Sequence, residues 1–174
     1  MSHLPHTQPS QYKDGKKIVQ VIRSLYSEGK LNEQQSLPFA HRRPPEELYD
    51  LQSDPHEMVN LAMDSKHRER LVSMRKVLYQ RMIETRDMGL IPEPILEDIG
   101  KKAGNKYSAF VRNDHRKQTQ DLIDVITAGE ANESDKLMGF AKSQDPSTRY
   151  WAAVWLGVNK TAESKSTLLE LTND

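Results

Sequence analysis

Apolar and polar positions change rhythm several times along this chain. From Lys16 to Ser27, the apolar residues Ile18, Val21, Ile22 and Leu25 recur at helical spacing. Asp14 stands where a cap belongs and Gly29 where a stop belongs. Before that, residues 1–13 mix prolines and histidines without periodicity, which predicts an extended arm, loose or docked. Leu31 to Phe39 is irregular. Glu47-Leu48-Tyr49-Asp50-Leu51 then alternates polar and apolar, the pattern of a strand with one buried face. Ser53-Asp54-Pro55 is turn chemistry, and Asn60-Leu61-Ala62 brings apolar bulk back toward the strand. After Asp64-Ser65, either of which could cap it, Leu71, Met74, Leu78 and Met82 mark the buried stripe of a long helix. Arg68, Glu69, Arg75, Lys76 and Gln80 face water. Gly89 closes that helix, and Pro92 and Pro94 are expected to prevent a restart nearby.

Residues 98–113 carry glycine and lysine and read as a linker between 1–97 and 114–174. Beyond it come short helices. Asp114 opens one with Leu122, Ile123, Val125 and Ile126 that stops at Gly129, and Asn132 opens another with Leu137, Met138, Phe140 and Ala141. Asp145-Pro146 opens a third, aspartate as cap and proline in the first turn, where its missing N–H costs nothing. Tyr150 to Leu156 is apolar on most sides and must be sandwiched between neighbours. A fourth helix, from about Ala162 to Leu171, supplies Leu168, Leu169 and Leu171. Leu137-Met138-Gly139-Phe140 and Leu168-Leu169-Glu170-Leu171 occupy matching places about 30 residues apart, a solenoid spacing.

Four short words, Glu47-Leu48-Tyr49-Asp50, Asp54-Pro55-His56-Glu57, Asn60-Leu61-Ala62 and Glu84-Thr85-Arg86-Asp87, occur in order. On these, residues 1–97 resemble the C-terminal subdomain of sulfatases, above all the heparan N-sulfatase (sulfamidase) branch. The resemblance implies an α+β fold: a small antiparallel sheet with one long packing helix, set against a large catalytic domain. Asp145-Pro146-Ser147-Thr148-Arg149-Tyr150-Trp151-Ala152-Ala153 resembles the start of a HEAT repeat, so an all-α, HEAT-like helical hairpin array is expected over 114–174. Such arrays need about three repeats, and this one is expected to be truncated after Leu171.

Composition narrows the chemistry. Twenty-five basic and 25 acidic residues cancel, which argues against nucleic acid or an anionic membrane as partner. The apolar fraction of 36% predicts thin cores. With no cysteine there is no thiol nucleophile or thiolate metal site. The sulfatase family uses calcium and a formylglycine made within a Cys/Ser-x-Pro-x-Arg motif. Ser36-Leu37-Pro38-Phe39-Ala40 and Ser53-Asp54-Pro55-His56-Glu57 lack its arginine, so no catalytic residue, metal ligand or cofactor is assigned. Asp54, His56 and Glu57 are metal-capable side chains, but the turn itself explains them better.

One cluster is a candidate site. His41, Arg42 and Arg43 could grip a sulfated sugar, because guanidinium forks match sulfate oxygens. The blander reading is a solvated basic rim, or ion pairs with Glu46, Glu47 or the missing domain. His3 and His6, in the arm, receive no role. Trp151 and Trp155 are placed in the core rather than on a sugar. Asn132-Glu133-Ser134 and Asn159-Lys160-Thr161 are glycan acceptor sequons that matter only in a secreted protein.

The expectation is therefore the non-catalytic C-terminal portion of a sulfatase-like hydrolase, inactive alone. Its parent would be periplasmic, secreted or lysosomal-like. Its expected partners are the missing catalytic domain, a sulfated glycan and, through exposed apolar surface, a second copy. The alternative is an independent HEAT-like module that binds another protein.

Overall fold

The computed structural model describes residues 2–112, 114–160 and 164–172. The chain divides into two compact units, Met1–Leu71 and Val72–Asp174. Among the described residues every regular element is helical, and the expected α+β fold with an antiparallel sheet is overturned.

In the first unit, α1 (Gln11–Asp14) leads into α2 (Lys17–Ser27), the helix that the Ile18–Leu25 spacing predicts. Asp14 does not cap α2. Its carboxylate instead lies 2.7 Å from the Arg23 guanidinium, and Gly29 turns the chain at φ 66° just beyond the helix. The irregular stretch after it holds α3 (Glu33–Ser36), opened by a capping box between Asn32 and Gln35, and a 3-10 turn over Leu37–Phe39. The arm is docked: Thr7 N–H donates to the Pro38 carbonyl (3.0 Å) and Arg43 N–H to that of Leu4 (3.2 Å).

The predicted strand is not one: Glu47 to Asp50 has no regular secondary structure and Leu51 enters a turn. Leu61 N–H reaches the Leu48 carbonyl at 2.8 Å. The neighbouring groups go to one side chain. Asn60 Oδ1 accepts from Leu48 N–H (3.0 Å) and Ala62 N–H (2.9 Å), and Asn60 Nδ2 donates to the Glu46 carbonyl (3.2 Å). A side-chain amide thus satisfies backbone groups that a partner strand would otherwise take. Alternation in a sequence reports which face is buried, and says nothing of whether a partner strand is present. Asn60→Ala should raise amide exchange at Leu48 and Ala62 by about tenfold, a net loss of roughly 1 kcal/mol of local order. Unchanged exchange at both would show that the amide bonds add nothing.

The long helix is α4 (Arg68–Thr85), preceded by a 3-10 turn over Ser65–His67 that Asp64 caps through Lys66 N–H (2.9 Å). Its predicted stripe is not buried. Met74 is 53% and Leu78 56% exposed, Val77 is 68% exposed, and no described residue of α4 is buried. Leu71 and Met82 are half-buried, and among the described residues nothing buries Met74 or Leu78.

The second unit holds the core. The chain restarts as a helix at once, α5 (Glu93–Ala103), despite its prolines. Pro92 is the cap and Pro94 lies in the first turn, where no donor is lost. Then α6 (Lys106–Arg112) fills what reads as linker, so 98–113 is helical over most of its length. Four more helices follow: α7 (Arg116–Glu130), α8 (Ser134–Phe140), α9 (Pro146–Asn159) and α10 (Ser164–Leu171). Asn113, Thr161, Ala162, Asn173 and Asp174 lie outside the described residues. Each of these four packs on the next, and α7 also packs on α9 and α8 on α10, which makes two stacked helical pairs. Leu122, Val125, Leu137, Ala152, Trp155 and Leu156 are the buried centre, and the sandwiched Tyr150–Leu156 segment lies where its composition requires.

Candidate functional site

His41, Arg42 and Arg43 follow the Leu37–Phe39 turn in the first unit, held there by the docked arm. His41 and Arg42 are exposed and Arg43 is half-buried. The arm adds two imidazoles that sequence reasoning left without a role. His6 Nε2 lies 3.6 Å from Glu47 Oε1. His3 is half-buried beside the arginines, and its ring is held below its usual pKa by burial and by neighbouring positive charge, Arg42 and Arg43 included. No spacing signal could have found His3, because α1, α2 and α3 lie between it and Arg42. Glu47, expected to pair with the arginines, meets His6.

The acidic turn beside it is occupied by its own backbone. Asp50 accepts Gln52 N–H (3.1 Å) and the Ser53 hydroxyl (2.9 Å), and Asp54 Oδ2 accepts Val59 N–H (2.8 Å). N–H bonds from Met58 and Val59 hold the Asp54 carboxyl below its ordinary range. Glu57 adopts a left-handed φ of 53° in the same turn. Burial, then the Glu47 carboxylate, push the Tyr49 phenol up. These groups shape a turn rather than converge on a reacting atom.

The tryptophans are core. Trp151 is 8% and Trp155 3% exposed, and Trp151 Nε1 donates to the Leu90 carbonyl at 2.6 Å. Neither offers a face to a sugar ring. Of the sequons, Asn132 lies exposed in the turn before α8, and the second one's Thr161 lies outside the described residues.

The sequence is similar to that of an ulvan-active sulfatase of Formosa agariphila. The two are 38% identical over 85 residues, 49% of this chain. A sulfatase-related region therefore makes up about half of the chain. The matched stretch covers 14% of that relative's length. No family model matches the chain, and no solved structure matches it.

Proposed function

We propose that the chain acts as the non-catalytic C-terminal portion of a sulfatase-like hydrolase, completing the fold of a catalytic domain and walling its substrate cleft. The reaction of that parent would be hydrolysis of sulfate esters or N-sulfates on a sulfated glycan. The similarity to a sulfatase supports the family. One structural observation carries the accessory role: among the described residues of Met1–Leu71, Leu48 is the one buried hydrophobic side chain. Ile18, Leu51, Val59 and Met63 are exposed at 75%, 60%, 57% and 94%. A unit of that size with so little core cannot offset its ordering entropy alone, and a large partner surface would supply the missing burial. His41, Arg42 and Arg43 then lie as a basic edge able to hold a substrate's sulfate.

The purified chain should show no turnover of an aryl sulfate or of N-sulfoglucosamine, with or without calcium. It should bind dextran sulfate but not dextran, and Arg42→Gln with Arg43→Gln should weaken that binding about tenfold. Turnover that comigrates with the protein through two chromatographic steps would sink the accessory role. Equal binding of both polysaccharides would sink the basic edge.

A second reading, a HEAT-like interaction module, draws on the stacked pairs α7–α8 and α9–α10. It leaves the sulfatase-like half without a purpose, so we place it second.

A further inference from the structure

A cavity of about 240 Å3 opens in the first unit, with Val19, Ile22 and Phe39 on its apolar side and His6, Lys13 and Arg23 on its polar side. Val19, Ile22 and Arg23 share one face of α2, because residues three and four apart on a helix are neighbours. Phe39 comes from the 3-10 turn and is fixed by stacking on Tyr26, with ring centroids 4.5 Å apart and planes inclined by 18°. The apolar wall is thus set by two separate elements.

The polar side is arranged for negative charge. Arg23 Nη2 lies 2.7 Å from Asp14 Oδ1, and about a third of the arginine side chain stays exposed. Asp14 is itself held, its Oδ2 accepting Ser10 N–H at 3.0 Å and its carbonyl accepting Gln20 Nε2 at 3.1 Å. The guanidinium is therefore positioned before any ligand arrives, which spares the entropy of ordering a long side chain. Asp14 offsets Arg23, while Lys13 forms no ion pair with a described residue and supplies the positive charge at the rim, with the Glu47 carboxylate facing the lining His6 at 3.6 Å. An apolar pocket with a few convergent polar groups is the usual form of a small-molecule site.

We propose that this cavity binds a small amphiphilic monoanion: a compact aromatic or branched aliphatic body against Val19, Ile22 and Phe39, and an oxyanion head answered by Arg23 and Lys13. The cavity shares His6 and the docked arm with the surroundings of the basic edge, but Arg23 and Lys13 belong to it alone, and it does not depend on the sulfatase reading.

Benzoate titrated into the isotopically labelled full chain tests it, with benzamide as the uncharged isostere and inorganic sulfate as the head group without a body. Benzoate should give saturable amide shifts at Val19, Ile22, Arg23 and Phe39. Benzamide and sulfate should each bind at least about tenfold more weakly. Lys13 is exposed and Lys13→Gln leaves the helices intact, so a severalfold loss of benzoate affinity in that variant supports the charge contact. Arg23→Gln, checked for helix content, should lose more. Equal affinity for benzamide removes the charge requirement, and equal affinity for sulfate removes the apolar one. Either result, unsaturated shifts, or an unchanged Lys13→Gln affinity overturns the proposal.

Discussion

Gly129→Ala is expected to cost the helical unit about 3 kcal/mol or more, the upper range for overpacking a core. A methyl group at residue 129 would overlap Trp155 Cγ and Cδ2 and sit 2.5 Å from its Cδ1. No rotamer change of the glycine's own side chain can relieve this, because a Cβ has none. The indole cannot yield either. Trp155 is 3% exposed and lies in the cluster with Leu122, Val125 and Leu156. The α7 backbone is further tied at this point by Asn159 Nδ2, which donates to the Gly129 carbonyl at 3.0 Å. Urea unfolding followed by tryptophan fluorescence reads the loss directly. Trp155→Leu in the same chain should make Gly129→Ala much less costly, since the two residues share one space. Strict additivity of the two changes would show that the glycine serves some other purpose.

Gly129 also shows where sequence reasoning reaches its limit. It reads as a helix stop, yet α7 runs through it to Glu130. Its small size answers to a ring that lies a whole helical pair later in the chain, and no local rule reports that. What was legible in the helical half was local: Asp145 before Pro146, the spacing of Leu122, Ile123 and Val125, and the apolar girdle around Trp151. Caps and periodicity depend on contacts within a few residues, so the sequence states them directly. The prolines after α4 misled because the same residue ends one helix and begins the next. Which it does depends on whether the following turn has apolar residues to bury, here Ile95, Leu96 and Ile99.

The first unit was legible in its parts and not in its assembly. Helix α2 and the turn at Asp54 follow from local pattern. The sheet did not follow, because pairing is a property of two segments and one of them must be elsewhere or absent. Here Asn60 takes the bonds. Likewise, a stripe of Leu71, Met74, Leu78 and Met82 predicts that α4 wants a partner, which is true of a helix whether or not the partner belongs to the same chain. The adjacency of His41, Arg42 and Arg43 is plain in the sequence. The half-buried His3 was missed, since only the docking of the arm brings it there.

Asp145→Ala should be the most damaging single truncation of a polar group, about 2–4 kcal/mol by the same unfolding measurement. One carboxylate serves three donors. Its Oδ2 accepts both Thr148 N–H and the Thr148 hydroxyl, each at 2.8 Å, and its Oδ1 accepts Gln118 Nε2 at 2.8 Å. Loss of the helix cap alone costs about 1 kcal/mol. Thr148 is 1% exposed, so its hydroxyl would also be left buried without an acceptor, a further 1–3 kcal/mol on the order expected for such groups. The third bond ties α9 to α7 across 27 residues, and behind it Gln118 Oε1 faces His115 Nδ1 at 3.0 Å. Asp145→Asn separates the contributions. The amide oxygen can still cap Thr148, but its nitrogen then confronts the Gln118 nitrogen. An asparagine variant that loses about half as much as the alanine one, and nothing further when Gln118→Ala is added, would assign that half to the cross-helix tie. An asparagine variant as stable as the parent would place the whole effect at the cap, and equal losses for the two variants would leave the cap nothing.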